Sequence, residues 1–259
     1  MWACFITVAA ARIPSRSPLG AALLLLGTFA PGLGALALTA RHEGGAGVRA
    51  LLARIAPGRV AARWYVFALG YTAAVKLTAA LLQRLITGAW PRFGDTPLLL
   101  IPFAIAVSTP FQAGEELGWR GYALPRMAAR FGLGPASLLL GLIWALWHLP
   151  QFFITDGDTA GQSFPVFVLQ VTALSVAMAW LWENTGRTLL LPMLLHAAVN
   201  NSKDIVPSAV PGATTLFTLQ SSLVAWLTVA LLWIAAAIFL AWMARTESRR
   251  SAAGPSNGA

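Results

Sequence analysis

Three short strings in this 259-residue chain put ionisable groups inside otherwise apolar surroundings: Glu115-Glu116-Leu117-Gly118-Trp119-Arg120, Trp144-Ala145-Leu146-Trp147-His148 and His196-Ala197-Ala198-Val199-Asn200. Charge within a hydrocarbon layer is costly, so groups that persist there are functional candidates. On a helix, Glu116 and Arg120 stand at i,i+4 in the favourable order and pair on one face. Glu115 then points about 100° away and is free for other work. His196 and Asn200 share a face, as do Trp144 and His148. A carboxylate, two imidazoles and an amide form a hydrolytic set. A glutamate can take a proton from water, and an imidazole can assist or return the proton to a leaving amine. An imidazole and an amide can donate hydrogen bonds to a developing oxyanion. Glu115, His148 and His196 could alternatively ligate a metal with an open position, although Asn200 is a poor zinc ligand. The bland alternative is interhelical glue, but four such groups at one depth, with a glutamate left unpaired, argue for chemistry.

Elements that bring these groups to one depth must be membrane helices. The chain is 58% hydrophobic and 10% charged, with mean hydropathy +0.69. Soluble domains carry about 25% charged residues. A disordered chain, a disulfide scaffold and an ordinary soluble enzyme are therefore excluded, and Cys4, the single cysteine, has no internal partner. The net charge of +9 does not imply nucleic acid, because the basic residues fall between apolar runs, as topology signals do.

The expected fold class is all-α, a polytopic transmembrane helical bundle. Its seven spans are Leu19–Ala40, Trp64–Ile86, Leu98–Arg126, Gly134–Phe153, Phe164–Trp182, Thr188–Lys203 and Leu216–Ala244. Residues 1–18 form a partial N-terminal apolar segment, whose stretch Met1–Ala11 is too short to cross and reads as the remnant of a longer first helix. Residues 19–244 form the membrane-embedded domain, with its motif core at 97–203, and 245–259 are expected to be a disordered tail. The connector 41–63 is basic, and Val48 to Ile55 suggest a short surface helix. Lys76 snorkels or faces protein, Glu183 is an interfacial cap, and His42 is solvated. With a rise of about 1.5 Å per residue, Glu115 lies roughly 16 Å from Arg126, His196 about 13 Å from Arg187 and His148 about 21 Å from Gly134. All three fall inside a core about 30 Å thick. Twelve arginines lie on the side holding 41–63 and 245–250, which makes that side, with the C-terminus, cytoplasmic in a cell (plasma) membrane.

The string Glu115 to Arg126 resembles the E-E-x-x-x-R motif of the CAAX-protease and bacteriocin-processing family of intramembrane proteases. Trp144-x-x-x-His148 resembles its F-x-x-x-H motif, with Trp in place of the usual Phe, and His196-x-x-x-Asn200 resembles its H-x-x-x-N motif. Order and spacing fit over about residues 97–203. The resemblance implies an endopeptidase of about eight helices, like the enzyme that trims prenylated CAAX proteins. It implies Glu115 as the base that activates water with the help of His148. His196 and Asn200 would stabilise the oxyanion, and Glu116, Arg120 and Trp144 would orient the site. The family is often labelled a metalloprotease, but the glutamate-dependent picture needs no metal and is favoured; a divalent metal such as zinc would have to use Glu115, His148 and His196. Expected partners are the lipid bilayer and a membrane-associated or lipidated protein substrate, whose apolar tail enters laterally or from the cytoplasmic side; no nucleic acid is expected. The alternative function is a non-proteolytic membrane scaffold or bacteriocin self-immunity protein. A transporter is disfavoured because no inverted repeat is visible.

Overall fold

The computed structural model describes residues 1–56, 58–203, 205–207 and 216–252. Among these residues every regular element is helical: α1 (Trp2–Ala10), α2 (Pro18–Ala53), α3 (Ala62–Thr87), α4 (Leu100–Ser108), α5 (Ala113–Glu116), α6 (Leu124–Phe131), α7 (Leu133–Trp147), α8 (Phe164–Asn184), α9 (Leu190–Ser202) and α10 (Leu223–Ala252). The chain is an all-α, multi-pass membrane protein. Five of its helical stretches are long and apolar enough to cross a bilayer: α2, α3, Leu133–Phe153, α8 and Leu223–Arg249.

The other two of the seven expected spans are helical but interrupted or short. The segment expected as one span, Leu98–Arg126, is helical from Leu100 but changes pitch repeatedly. A 3₁₀ turn (Thr109–Gln112) follows α4, and a π-helical turn (Leu117–Ala123) separates α5 from α6. Pro110 and Pro125 cannot donate into the preceding turn, and short π-helical insertions are a recognised feature of functional helices. The other shortened span is α9, 13 residues long, or about 20 Å of helix. The last span begins at Leu223 instead of Leu216, because Leu216 and Thr218 are engaged as acceptors: their carbonyls receive the Phe164 N–H and the Ser163 hydroxyl.

The expected tail also needs correction. The last helix continues to Ala252, so residues 245–252 are helical. The Glu247 carboxylate accepts the Leu133 N–H at 2.6 Å and ties this end of α10 to the start of α7. Residues 253–259 lie outside the described residues. In α2, Gly44 adopts φ 66°, ψ −166° and breaks the helix, so that 45–53 is a separate turn of helix where a surface helix was expected. Its Leu51 is buried.

Small residues decide the closest packing. Helix α8 is the most enclosed span, with 61% of its apolar window buried against 17% for α2. Its run Ala173, Ser175, Ala177 and Ala179 is almost wholly buried, and Ser175 donates to the Ser137 carbonyl of α7 at 2.9 Å, the small-residue packing of membrane bundles. A second close approach holds the site: Gly118 of the π turn lies against Pro31 of α2, where an added Cβ would stand 2.5 Å from the proline Cβ and 2.6 Å from its carbonyl carbon. Gly34, one turn further along α2, has nothing within 4 Å of such a Cβ. Thermal unfolding in detergent is therefore expected to show Gly118→Ala destabilised by about 1–3 kcal/mol. Gly34→Ala should be neutral or stabilised by up to about 1 kcal/mol through helix propensity. Equal effects at the two positions would contradict the close approach.

Candidate active site

The broken segment 100–131 carries the first motif at its centre. Glu115 and Glu116 end α5, and the π turn that follows carries Trp119 and Arg120. Because Pro125 lacks an N–H, the Gly121 carbonyl is left without its usual helical donor. Arg54, just past the end of α2, supplies one from Nη1 at 3.0 Å. That carbonyl is thereby satisfied, and the end of α2 is tied to the π turn.

Glu116 and Arg120 form the expected pair. Arg120 Nη1 donates to both Glu116 oxygens, at 2.9 and 3.2 Å, and both side chains are 0% exposed. The guanidinium carbon also stands 4.4 Å from the centroid of the Trp144 ring, within cation–π range. The pair reaches a third group that sequence reasoning did not connect to it: His196 Nδ1 lies 2.8 Å from Glu116 Oε1. With a carboxylate opposite, Nδ1 carries the hydrogen of that bond. The two residues are 80 positions apart, and nothing in local spacing announces the contact.

Glu115 is organised differently. Its Oε2 accepts the Trp144 indole N–H at 2.7 Å and the Trp119 indole N–H at 3.3 Å. Among the described residues no protein hydrogen bond is recorded to Oε1. Trp119 was overlooked at the sequence level, although its i,i+4 offset from Glu115 was the available signal. The place where this chain departs from the usual Phe, Trp144, contributes an N–H that a phenyl ring cannot. The same ring meets His148 edge-on at 5.7 Å between centroids and His196 at 5.2 Å.

His148 ends α7 where Leu149–Phe153 tightens to a 3₁₀ turn. Its Nδ1 lies 2.7 Å from the Trp144 carbonyl, an acceptor only, so Nδ1 carries hydrogen and neutral His148 presents the Nε2 lone pair. On α9, Asn200 is exposed to the cavity, while the neighbouring Asn201 is structural: it donates to the Ser108 hydroxyl at 3.0 Å and to the Ala197 carbonyl at 2.8 Å, pinning α9 to α4.

Glu115, Trp144, His148, His196 and Asn200 all line one cavity of about 760 Å³, a size typical of ligand sites. Glu116 and Arg120 lie behind its wall. Among the described residues no three His, Cys, Asp or Glu side chains group closely enough to hold a metal ion. The three groups a metal would use here, Glu115, His148 and His196, stand round the Trp144 ring, which donates to Glu115 and meets both imidazoles edge-on.

Residues 95–202 match the family model described as type II CAAX prenyl endopeptidase, Rce1-like. Over that stretch, less than half of its length, the chain is similar to this family. The matched stretch contains all three motifs and the whole of the site. Over 118 residues the chain is 27% identical to CAAX prenyl protease 2 of Methanococcus maripaludis, a match covering 43% of the chain and 42% of that relative. The chain thus aligns with less than half the length of the curated relative it matches.

The Glu116–Arg120 pair has a testable consequence for stability. Removing one partner of a buried ion pair leaves an uncompensated charge and costs about 3–5 kcal/mol. Glu116→Gln is therefore expected to lower detergent unfolding stability by that order, whereas Glu116→Gln combined with Arg120→Met should recover much of it. An unaltered melting curve for Glu116→Gln alone would contradict the pairing.

Proposed function

We propose that the chain is an intramembrane endopeptidase of the CAAX-protease type, acting on a membrane-associated or lipidated protein or peptide. The observation that carries this reading is the convergence of Glu115, His148, His196 and Asn200 on one cavity within a membrane bundle, inside the segment that matches the family. The shared lineage with a relative named CAAX prenyl protease 2 supports it. We place the chain in the cell membrane with its C-terminus in the cytoplasm, on the distribution of arginines.

The reaction runs through side chains alone. Glu115 has Oε2 anchored by two indoles, which leaves Oε1 to accept a proton from water while the neutral His148 Nε2 accepts a hydrogen bond from the same water. The water oxygen attacks the peptide carbonyl carbon, and the carbonyl electrons collect on oxygen. Asn200 can donate its amide N–H to that oxyanion in any protonation state. His196, with Nδ1 committed to Glu116, offers a second donor at Nε2 as the imidazolium. The proton held by Glu115 passes to the leaving nitrogen as the C–N bond breaks, which restores the carboxylate. Trp144 and Arg120 touch no reacting atom in this scheme; they position Glu115 and Glu116.

Two variants test these roles. Glu115→Gln is expected to reduce cleavage by roughly 10²- to 10⁴-fold, the usual worth of a general base, with the melting temperature unchanged. Comparative membrane proteomics should then show a substrate fragment that disappears in the variant. Full cleavage by folded Glu115→Gln would refute the assignment. Trp144→Phe keeps an aromatic ring but removes the N–H to Glu115, so kcat should fall roughly tenfold or more, as for loss of a hydrogen bond to a charged group, with KM little altered. A change confined to KM would move Trp144 from positioning the base to binding substrate.

A further inference from the structure

Hydrogen bonds between loops sort the bundle into two ends. At one end the Ser15 N–H donates to Asp156 at 2.8 Å, Lys203 pairs with Asp158 at 2.9 Å, the Gly94 N–H donates to the Ile205 carbonyl at 3.2 Å and Phe164 bonds to Leu216. The Ser15 hydrogen bonds hold the exposed Asp156 carboxyl below its usual range. Segments 11–17, 88–99 and 154–163, with residues 203, 205–207 and 216–222, therefore share this end. At the other end Arg54 donates to the carbonyls of Gly121 and Arg187, Arg126 pairs with Glu43 at 2.6 Å, and Glu247 bonds to Leu133.

The cavity reaches only one of these ends. Its lining descends from Arg16, Gln151, Asp158, Gln162 and Lys203 to the catalytic set, with Thr72 and Leu232 also in its wall, and includes no residue of the Arg54–Arg187 end. Beneath the catalytic set, Glu116, Arg120, Leu124, Leu189 and Trp182 are all at or below 1% exposure and close the bundle. The open rim is polar and of mixed charge, with the Asp158 side chain 90% exposed, which suits an aqueous mouth and not a lipid-facing one.

The charge bias between the ends is strong. Eleven arginines, within 41–63, 126–130, 187 and 245–250, lie at the closed end, against Arg12, Arg16, Arg84, Arg92 and Lys203 at the open one. Short loops rich in arginine stay in the cytoplasm.

We propose that the catalytic cavity opens on the extracytoplasmic face, so that the scissile segment of the substrate is a polypeptide presented from that side of the bilayer. This rests on the proteolytic reading for the word substrate, but the route of access stands on geometry and charge alone. It replaces the expectation of entry from the cytoplasmic side. A membrane-anchored peptide or protein whose polar end has been exported fits the mouth, whereas a lipidated protein confined to the cytoplasm meets the closed end.

Single cysteines in a Cys4→Ser background test the route in intact cells. Ala160→Cys lies on an exposed rim loop, Gln151→Cys lines the cavity, and Arg59→Cys marks the closed end. A membrane-impermeant, charged thiol reagent added outside should modify the first two and should reach Arg59→Cys only after permeabilisation. The reverse pattern overturns the proposal, as does modification of Ala160→Cys with Gln151→Cys unreactive from outside. Labelling requires no turnover, so expected labelling in a chain that never cleaves would count against the protease and in favour of the route. Conversely, Glu115-dependent cleavage with reversed labelling would overturn the route alone. Two reporters sharing one apolar segment, with a soluble tag on either side, complete the test: Glu115-dependent release of the outside tag only is expected, and release of the inside tag only would contradict it.

Discussion

The structure is arranged around two charges that water does not reach. Glu116 and Arg120 sit at zero exposure in a setting where an isolated charge is costly, and mutual attraction repays desolvation only when geometry and further hydrogen bonds are good. Both conditions leave marks on the fold. The π turn sets the register between the two residues, Trp144 covers the guanidinium face, and His196 completes the carboxylate. Helix α9 is thereby tied to the broken segment, and α7 is tied to both through one indole. Among the described residues the guanidinium Nε and Nη2 have no hydrogen-bond partner, so the balance is tight and the surrounding packing has little freedom to change.

Glu115 shows how adjacent residues of one type acquire different duties. One residue along the chain, the carboxylate faces the cavity, and the donors around it are indoles in place of a guanidinium. Two N–H groups replace water at Oε2 without adding a full positive charge, which keeps the group oriented and its second oxygen open. The same logic separates the two asparagines: Asn200 faces the cavity, and Asn201 spends its amide joining α9 to α4.

Much of this could be read from residue spacing. Offsets of four placed Glu116 with Arg120 and Trp144 with His148, and hydropathy located the helices that carry them. What escaped were features that depend on the partner of a backbone group. The π turn follows from Pro125 and from the guanidinium of Arg54, 67 positions away, which no local window contains. The helical stretch 245–252 resembled a tail because its composition is polar, yet Glu247 finds its acceptor role at Leu133. The break at Gly44 is a conformation that glycine permits but does not demand. The contact of His196 with Glu116 belongs to tertiary packing, and only a family pattern could hint that the two motifs meet.

The brevity of α9 goes with its place inside the bundle. A helix of 13 residues spans about 20 Å beside neighbours built for a core of about 30 Å. The difference is made up by the polar mouth and by the loops at each end, and α9 is enclosed: Leu191, His196 and Ala198 are buried, and Asn200, its one exposed residue, faces the cavity. The helix bearing His196 and Asn200 thus takes its position from protein neighbours and not from the lipid.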